Sequence, residues 1–81
     1  MRIDKFLKNS RIIKRRQVAK TACENDRVKV NDKIVKASYD VQKGDIIEIV
    51  FGNQILKIRV KELIENAKKN NAEDMYEVID E

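Results

Sequence analysis

The sequence contains no histidine, no proline and no tryptophan, one cysteine and two glycines. Each scarcity excludes a class of function. Without imidazole there is no Ser-His-Asp constellation and no histidine-ligated metal centre. Cys23 alone makes neither an internal disulfide nor a cysteine-based zinc site, and it suits a reducing, cytoplasmic setting. Gly44 and Gly52 leave no phosphate-cradling glycine loop. No apolar run approaches the roughly 18 residues of a membrane span. The opening Met1-Arg2-Ile3-Asp4-Lys5 lacks the apolar stretch of a signal peptide. The aromatics are Phe6, Tyr39, Phe51 and Tyr76, too few for a sheet that stacks bases. We therefore expect no enzyme, no cofactor and no bound metal.

What the chain has in abundance is charge. Its 81 residues suit one small domain, with 18 Lys and Arg against 14 Asp and Glu. The charges are sorted along the chain. Residues 1–20 carry eight bases and one acid, Asp4, for a net of +7. Residues 21–61 carry a net of +2, and residues 62–81 a net of −5. A basic head of this density predicts a polyanionic partner.

The hydrophobic period places the elements. Ile3, Phe6 and Leu7 share one arc of a short helix over 2–10, with Arg2, Lys5, Lys8 and Asn9 opposite. Asp4 stands four residues before Lys8, a spacing that favours an ion pair. Ile12 and Ile13 plug the core from a connector. A second helix is predicted over 15–25, with Val18, Ala19, Ala22 and Cys23 as its buried stripe and Asn25-Asp26 as its stop. The period then becomes two. Val28-Lys29-Val30 and Lys33-Ile34-Val35-Lys36 flank Asn31-Asp32, which is hairpin-turn chemistry. Lys43-Gly44-Asp45 precedes a strand over 46–51, and Gly52-Asn53 turns into a strand over 54–60. The expected fold is α+β, two short helices packed on one face of a small, mainly antiparallel sheet. Residues 1–60 form the domain and 61–81 an acidic extension. Residues 61–67 fit either a longer last strand or a helix start. Ala72, Met75, Tyr76 and Ile79 predict a helix over 72–80, with Glu73, Asp74, Glu77, Asp80 and Glu81 facing solvent.

The ordered motifs resemble the S4 RNA-binding domain. Arg2-Ile3-Asp4-Lys5-Phe6-Leu7 matches its opening helix, and Arg15-Arg16-x-x-Ala19 stands where the family has Ser-Arg-x-x-Ala. Val28-x-Val30-Asn31 matches Val-x-Val-Asn-Gly, and Lys36-Ala37-Ser38 with Val41-x-x-Gly44-Asp45-x-Ile47 matches the closing signature. Three departures stand out. Asp26 and Asp32 replace glycines, and Arg15 replaces the Ser that would cap the second helix. A cation there opposes the helix dipole, which points to a binding role for Arg15. The resemblance implies the S4-like (alpha-L) fold, with its two helices as the RNA-facing surface. Carried over by position, the RNA-binding residues are Arg2, Asp4, Lys5, Arg15 and Arg16. Lys8, Arg11, Lys14 and Lys20 are added from the helical arcs and charge density. Arg16 is the strongest candidate, a family arginine at a helix N-terminus that itself favours anions. Asp4 is expected to orient a neighbouring arginine or to accept from a ribose hydroxyl.

The length, Ile13-Lys14-Arg15-Arg16 and the tail Asn71-Ala72-Glu73-Asp74-Met75-Tyr76-Glu77 resemble the free-standing S4 proteins of ribosome-associated quality control, the RqcP family, relatives of the heat-shock S4 protein. That resemblance implies a cytoplasmic, monomeric, non-catalytic factor. Its partners would be rRNA of the large ribosomal subunit, peptidyl-tRNA and RqcH, and it would support alanine tailing of the stalled peptide. Other readings are a general structured-RNA or tRNA-binding accessory, and a protein adaptor working through the acidic tail.

Overall fold

The change of period at Val28 marks the boundary between helices and sheet. The computed structural model describes residues 1–79. Helix α1 spans Ile3–Asn9 and helix α2 spans Arg16–Glu24. Strands follow at Val28–Val30 (β1), Lys33–Ile34 (β2), Ile46–Phe51 (β3), Gln54–Val60 (β4) and Tyr76–Val78 (β5). They form one sheet in the order β2-β1-β3-β4-β5, with every neighbouring pair antiparallel.

The register aligns the apolar alternates. Val28 lies opposite Ile49, Val30 opposite Ile47, and Ile47 in turn opposite Ile58. These side chains are buried with Ile3, Phe6 and Leu7 of α1 and with Ala19 and Cys23 of α2. One face of the sheet thus takes both helices, as the alternation predicts. Ile13 is buried from the connector and Ile12 packs against the same core.

The turns are built where the sequence placed them, under strain at two aspartates. Asn31 and Asp32 both have positive φ, 51° and 71°. This is the backbone of the tight hairpin turn that usually carries Asn-Gly. Asn31 secures it, accepting from the Ile46 amide at 3.0 Å and donating to Asp45 at 3.2 Å. At the end of α2 the left-handed residue is Asp26 (φ 59°), while Asn25 stays at negative φ. The Asp26 and Arg27 amides donate to the Cys23 and Ala22 carbonyls, which closes the helix in a Schellman arrangement.

Two expectations are corrected. Val18 is not buried; it is 52% exposed, and Ala22 is half-buried. Helix α2 approaches the core through Ala19 and Cys23, four residues apart, and so narrow a contact leaves Val18 on its flank. There it lines an apolar groove with Ile13, Phe51 and others. The predicted helix over 72–80 is absent. Ala72–Met75 is a 3-10 turn and Tyr76–Val78 is strand β5, paired to β4 with Val60 opposite Tyr76. Ala72 and Met75 are three apart, so they share a side of a 3-10 turn as readily as of an α-helix. The open edge of β4 then decides the outcome, because pairing satisfies its backbone groups. Asp80, the end of the expected helix, and Glu81 lie outside the described residues. Glu73, Asp74 and Glu77 are exposed as expected. Residues 61–67 form neither strand nor helix, and Leu63, Ile64 and Ala67 lean on the core.

Candidate nucleic-acid interface

The first turn of α1 is held against the 37–40 segment. The Ile3 amide donates to the Tyr39 carbonyl at 2.8 Å, and the Asp4 amide to the Ala37 carbonyl at 3.3 Å. This docking turns Asp4 inward, where its side chain is 3% exposed. An isolated carboxylate there would be costly, so it must be paired.

Its pairing is nearly complete. Oδ1 accepts from the Lys5 amide at 2.7 Å, from Arg2 Nε at 3.2 Å and from Arg16 Nη2 at 3.3 Å. Oδ2 accepts from Arg2 Nη2 at 3.1 Å. The expected Asp4–Lys8 pair does not form. Lys8 is on the solvent side of α1, whereas Asp4 faces α2 and finds Arg16. Burial pushes the Asp4 carboxyl up, but the Arg2 hydrogen bond, the Lys5 amide and the charges of Arg16 and Arg2 outweigh it. The net result holds the carboxyl below its usual range.

The two arginines are each about half exposed, with side-chain values of 49% for Arg2 and 48% for Arg16. Each guanidinium therefore has one edge fixed on Asp4 and the rest open to a ligand. Two cations share one anion, so the trio keeps a positive charge. Arg2, Asp4, Arg16, Gln17 and Lys20 line a shallow depression of about 280 Å³. Arg16 opens α2, whose first-turn amides have no carbonyl partner within the helix. Arg15 precedes it in extended conformation and makes no side-chain cap, as its replacement of Ser implies. The arrangement suits a phosphate, which accepts planar, bidentate donation from arginine.

The other named residues lie elsewhere. Lys5 turns away and pairs with Glu65, whose carboxyl is held low by that hydrogen bond. Beside it, Asn9 donates to the Ile64 and Glu65 carbonyls, fixing the 61–67 segment on α1. Lys8, Arg11, Lys14 and Arg15 are exposed and form no ion pair among the described residues. They do not line the depression. They surround the end of α1 and its connector, where Arg11 itself has φ 63°. Gln17 is the lining residue that sequence reasoning missed. Its spacing from Lys20, one helical turn, would have placed it on the same face.

Among the described residues no group of three or more His, Cys, Asp or Glu side chains could hold a metal ion. No described helix is long and apolar enough to cross a membrane.

Residues 1–47 match the S4 domain family. A Streptococcus pneumoniae protein named RQC P-site tRNA stabilizing factor is 49% identical over 81 residues, which is 100% of this chain and 92% of that protein. A Bacillus subtilis protein of the same name is 43% identical over 81 residues, 100% of this chain and 94% of its own length. Among solved structures, trimeric heat shock protein 15 of Vibrio cholerae superposes with a TM-score of 0.91 at 25% identity, over 98% of this chain and 81% of that one. The solution structure of hypothetical protein HP1423 gives 0.85 at 28% identity, over 100% and 99%. With its S4 fold, its matched basic helices and relatives along its whole length, the chain belongs to the RQC P-site tRNA stabilizing factor family of S4-domain proteins.

Proposed function

We propose that this chain is an RNA-binding factor of ribosome-associated quality control that steadies the P-site tRNA on the large ribosomal subunit. The observation that carries this reading is the Arg2–Asp4–Arg16 cluster, two half-exposed guanidiniums held on one buried carboxylate. It sits at family-matched positions in a chain whose full-length relatives are named for tRNA stabilisation. The protein works in the cytoplasm as a monomer and supports RqcH-dependent alanine tailing of a peptidyl-tRNA. Residues 1–60 form the RNA-binding unit, and β5, within the acidic 61–81 extension, braces β4.

The mechanism is binding rather than bond-making. A factor that contacts both rRNA and tRNA shifts the tRNA between positions only by its differential affinity for them. About 1.4 kcal/mol, comparable to one good charged hydrogen bond, shifts that equilibrium about tenfold. Arg2 and Arg16 supply such contacts, and Asp4 holds them in place before RNA arrives.

The test is Arg16→Ala. Arg2 and the Lys5 amide still pair Asp4 in this variant, so it should fold with only a small drop in melting temperature. It should lose about tenfold in cosedimentation with large subunits carrying tRNA and lose alanine tailing in a reconstituted reaction. Binding of the wild type should fall with salt at a log–log slope of about −3 to −7, as for four to eight phosphate contacts. A flat salt dependence, or full binding and tailing by the variant, rejects the proposal.

A further inference from the structure

Three acids of the 61–81 extension pair with bases of residues 1–60. Glu65 pairs with Lys5 on α1, Glu62 with Lys43 at 3.2 Å, and Glu77 with Arg59 on β4 at 2.7 Å. Lys43 stands in the turn before β3, beside Gly44, whose amide donates to the Val60 carbonyl. Arg59 and Glu77 lie opposite each other on the sheet face that points away from the helices, because the alternate residues Ile58 and Val60 are buried on the helix side. None of the three bases lines the depression built on Arg2, Asp4 and Arg16.

Each acid is fixed through its backbone, independently of its ion pair. The Glu62 amide donates to the Met75 carbonyl at 3.2 Å. The Glu65 carbonyl accepts from the Asn9 side chain at 3.0 Å. Glu77 is a ladder residue of β5. Both partners of each pair reach the surface, so each attraction is weak and adds little to stability. The carboxylate nevertheless stays within reach of its base. A phosphate that takes Lys5, Lys43 or Arg59 must displace a tethered acid and then sit beside it, against its repulsion.

We infer that the extension sets RNA specificity: Glu62, Glu65 and Glu77 withhold Lys5, Lys43 and Arg59 from phosphate, and polyanions are thereby steered to the Arg2–Arg16 face. This rests on the RNA-binding reading above and deepens it. At position 5 it departs from the family expectation, and the Glu65 contact is the reason. The bases of residues 1–20 show the contrast. Lys8, Arg11, Lys14, Arg15 and Lys20 are exposed and form no ion pair among the described residues. Non-specific RNA binding follows the number of cations that reach phosphate, whereas specific binding depends on where they stand. Withholding cations away from the site lowers the first and spares the second, which widens the difference in affinity.

The experiment compares two variants of equal charge, Glu65→Gln/Glu77→Gln and Glu73→Gln/Asp74→Asn. Each removes two acids, but only the first releases bases, Lys5 and Arg59. Glu73 and Asp74 are exposed and form no ion pair among the described residues. Binding is titrated against poly(U) and against purified large ribosomal subunits carrying tRNA, from about 50 to 200 mM salt. The first variant should bind poly(U) about tenfold more tightly than wild type and steepen the salt slope by about 1.4, as for two added contacts on a single strand. Its affinity for the tRNA-bearing subunits should change by less than about threefold, so its preference for them falls. The second variant should keep the wild-type slope and gain less than about threefold on poly(U). Both should melt within about 3 °C of wild type. Equal gains by the two variants would reduce the effect to net charge and overturn the inference, as would no gain by either. Arg16→Ala, measured alongside, separates this from the parent reading. If it loses subunit binding while the inference fails, the RNA-binding reading stands; if it binds subunits as wild type, both fall.

Discussion

Asp4 and Arg16 stand twelve residues apart in the chain and meet at 3.3 Å, the carboxylate almost wholly buried and the guanidinium half in solvent. This contact joins α1 to α2 and points a cation outward in the same act. Arg2 is held on the same carboxylate, so one acid in a strongly basic segment organises two bases. In the proposed binding mode the lone acid of residues 1–20 acts from inside, where it holds the pair and neutralises part of its charge.

Removing that acid adds net positive charge yet should weaken RNA binding. In Asp4→Ala the two guanidiniums lose their common anchor and repel each other. We expect about 1–2 kcal/mol of destabilisation, kept modest because both arginines are half exposed, and about a five- to tenfold loss of affinity. Thermal melting and RNA titration check the two effects. An affinity gain in a folded Asp4→Ala protein would mean that charge alone governs binding.

The Asp4 carboxyl also sets part of the acid limit of the fold. Its folded pKa lies below the ordinary value of 3.8. The unfolded chain therefore binds the proton more readily, and stability rises with pH through that window. The contribution is complete above the unfolded value and is lost as pH falls through the folded one. Melting temperatures of wild type and Asp4→Asn, measured from pH 6 down to pH 2.5 (roughly the span of carboxylate titration), should converge as the pH falls. Parallel curves would show that Asp4 is not the group responsible.

Two aspartates occupy left-handed backbone where glycine costs less. Asp26 has φ 59° at the end of α2, and Asp32 has φ 71° in the β1–β2 turn. Asp26→Gly and Asp32→Gly should each stabilise the protein by about 0.5–1 kcal/mol, the relief of strain exceeding the added freedom of the unfolded chain. The melting temperature should rise by about 3–6 °C for each. No rise would mean that side-chain contacts of the aspartates offset the strain.

Cys23 is buried, and its thiol is pushed up to about 11, first by burial and then by the charges of Asp4 and Glu24. At pH 8 the folded protein holds about a hundredfold less thiolate than a thiol at the ordinary value of 9.0 would. Native protein should react with a thiol reagent at least about a hundred times more slowly than unfolded protein at the same pH. Equal rates would place the thiol in solvent. Because the shift is upward, any stability from the neutral thiol is present below pH 9 and is lost as the pH rises through about 11.

Much of this was readable from residue order. Ile3, Phe6 and Leu7 lie on one arc of a helix because α-helical geometry spaces them so, and Ile47 and Ile49 lie on one face because strands alternate. Asn31-Asp32 and Gly52-Asn53 mark their turns through local backbone preference alone. The excess of cations in residues 1–20 and the family arginine at position 16 pointed to the two helices as the proposed RNA-facing surface. Such properties depend on neighbours along the chain, and they survive without knowledge of the fold. Which groups meet across the chain was decided by packing. Lys8 was the sequence neighbour of Asp4, but docking of α1 on the 37–40 segment turned Asp4 toward Arg16 instead. Tyr76–Val78 carried a helical period, but the unpaired edge of β4 drew it into the sheet. The physical reason is the same in each case: periodicity is a property of the local backbone, whereas an ion pair or a ladder bond needs its partner within a few ångströms, and that proximity exists only once the chain has closed on itself.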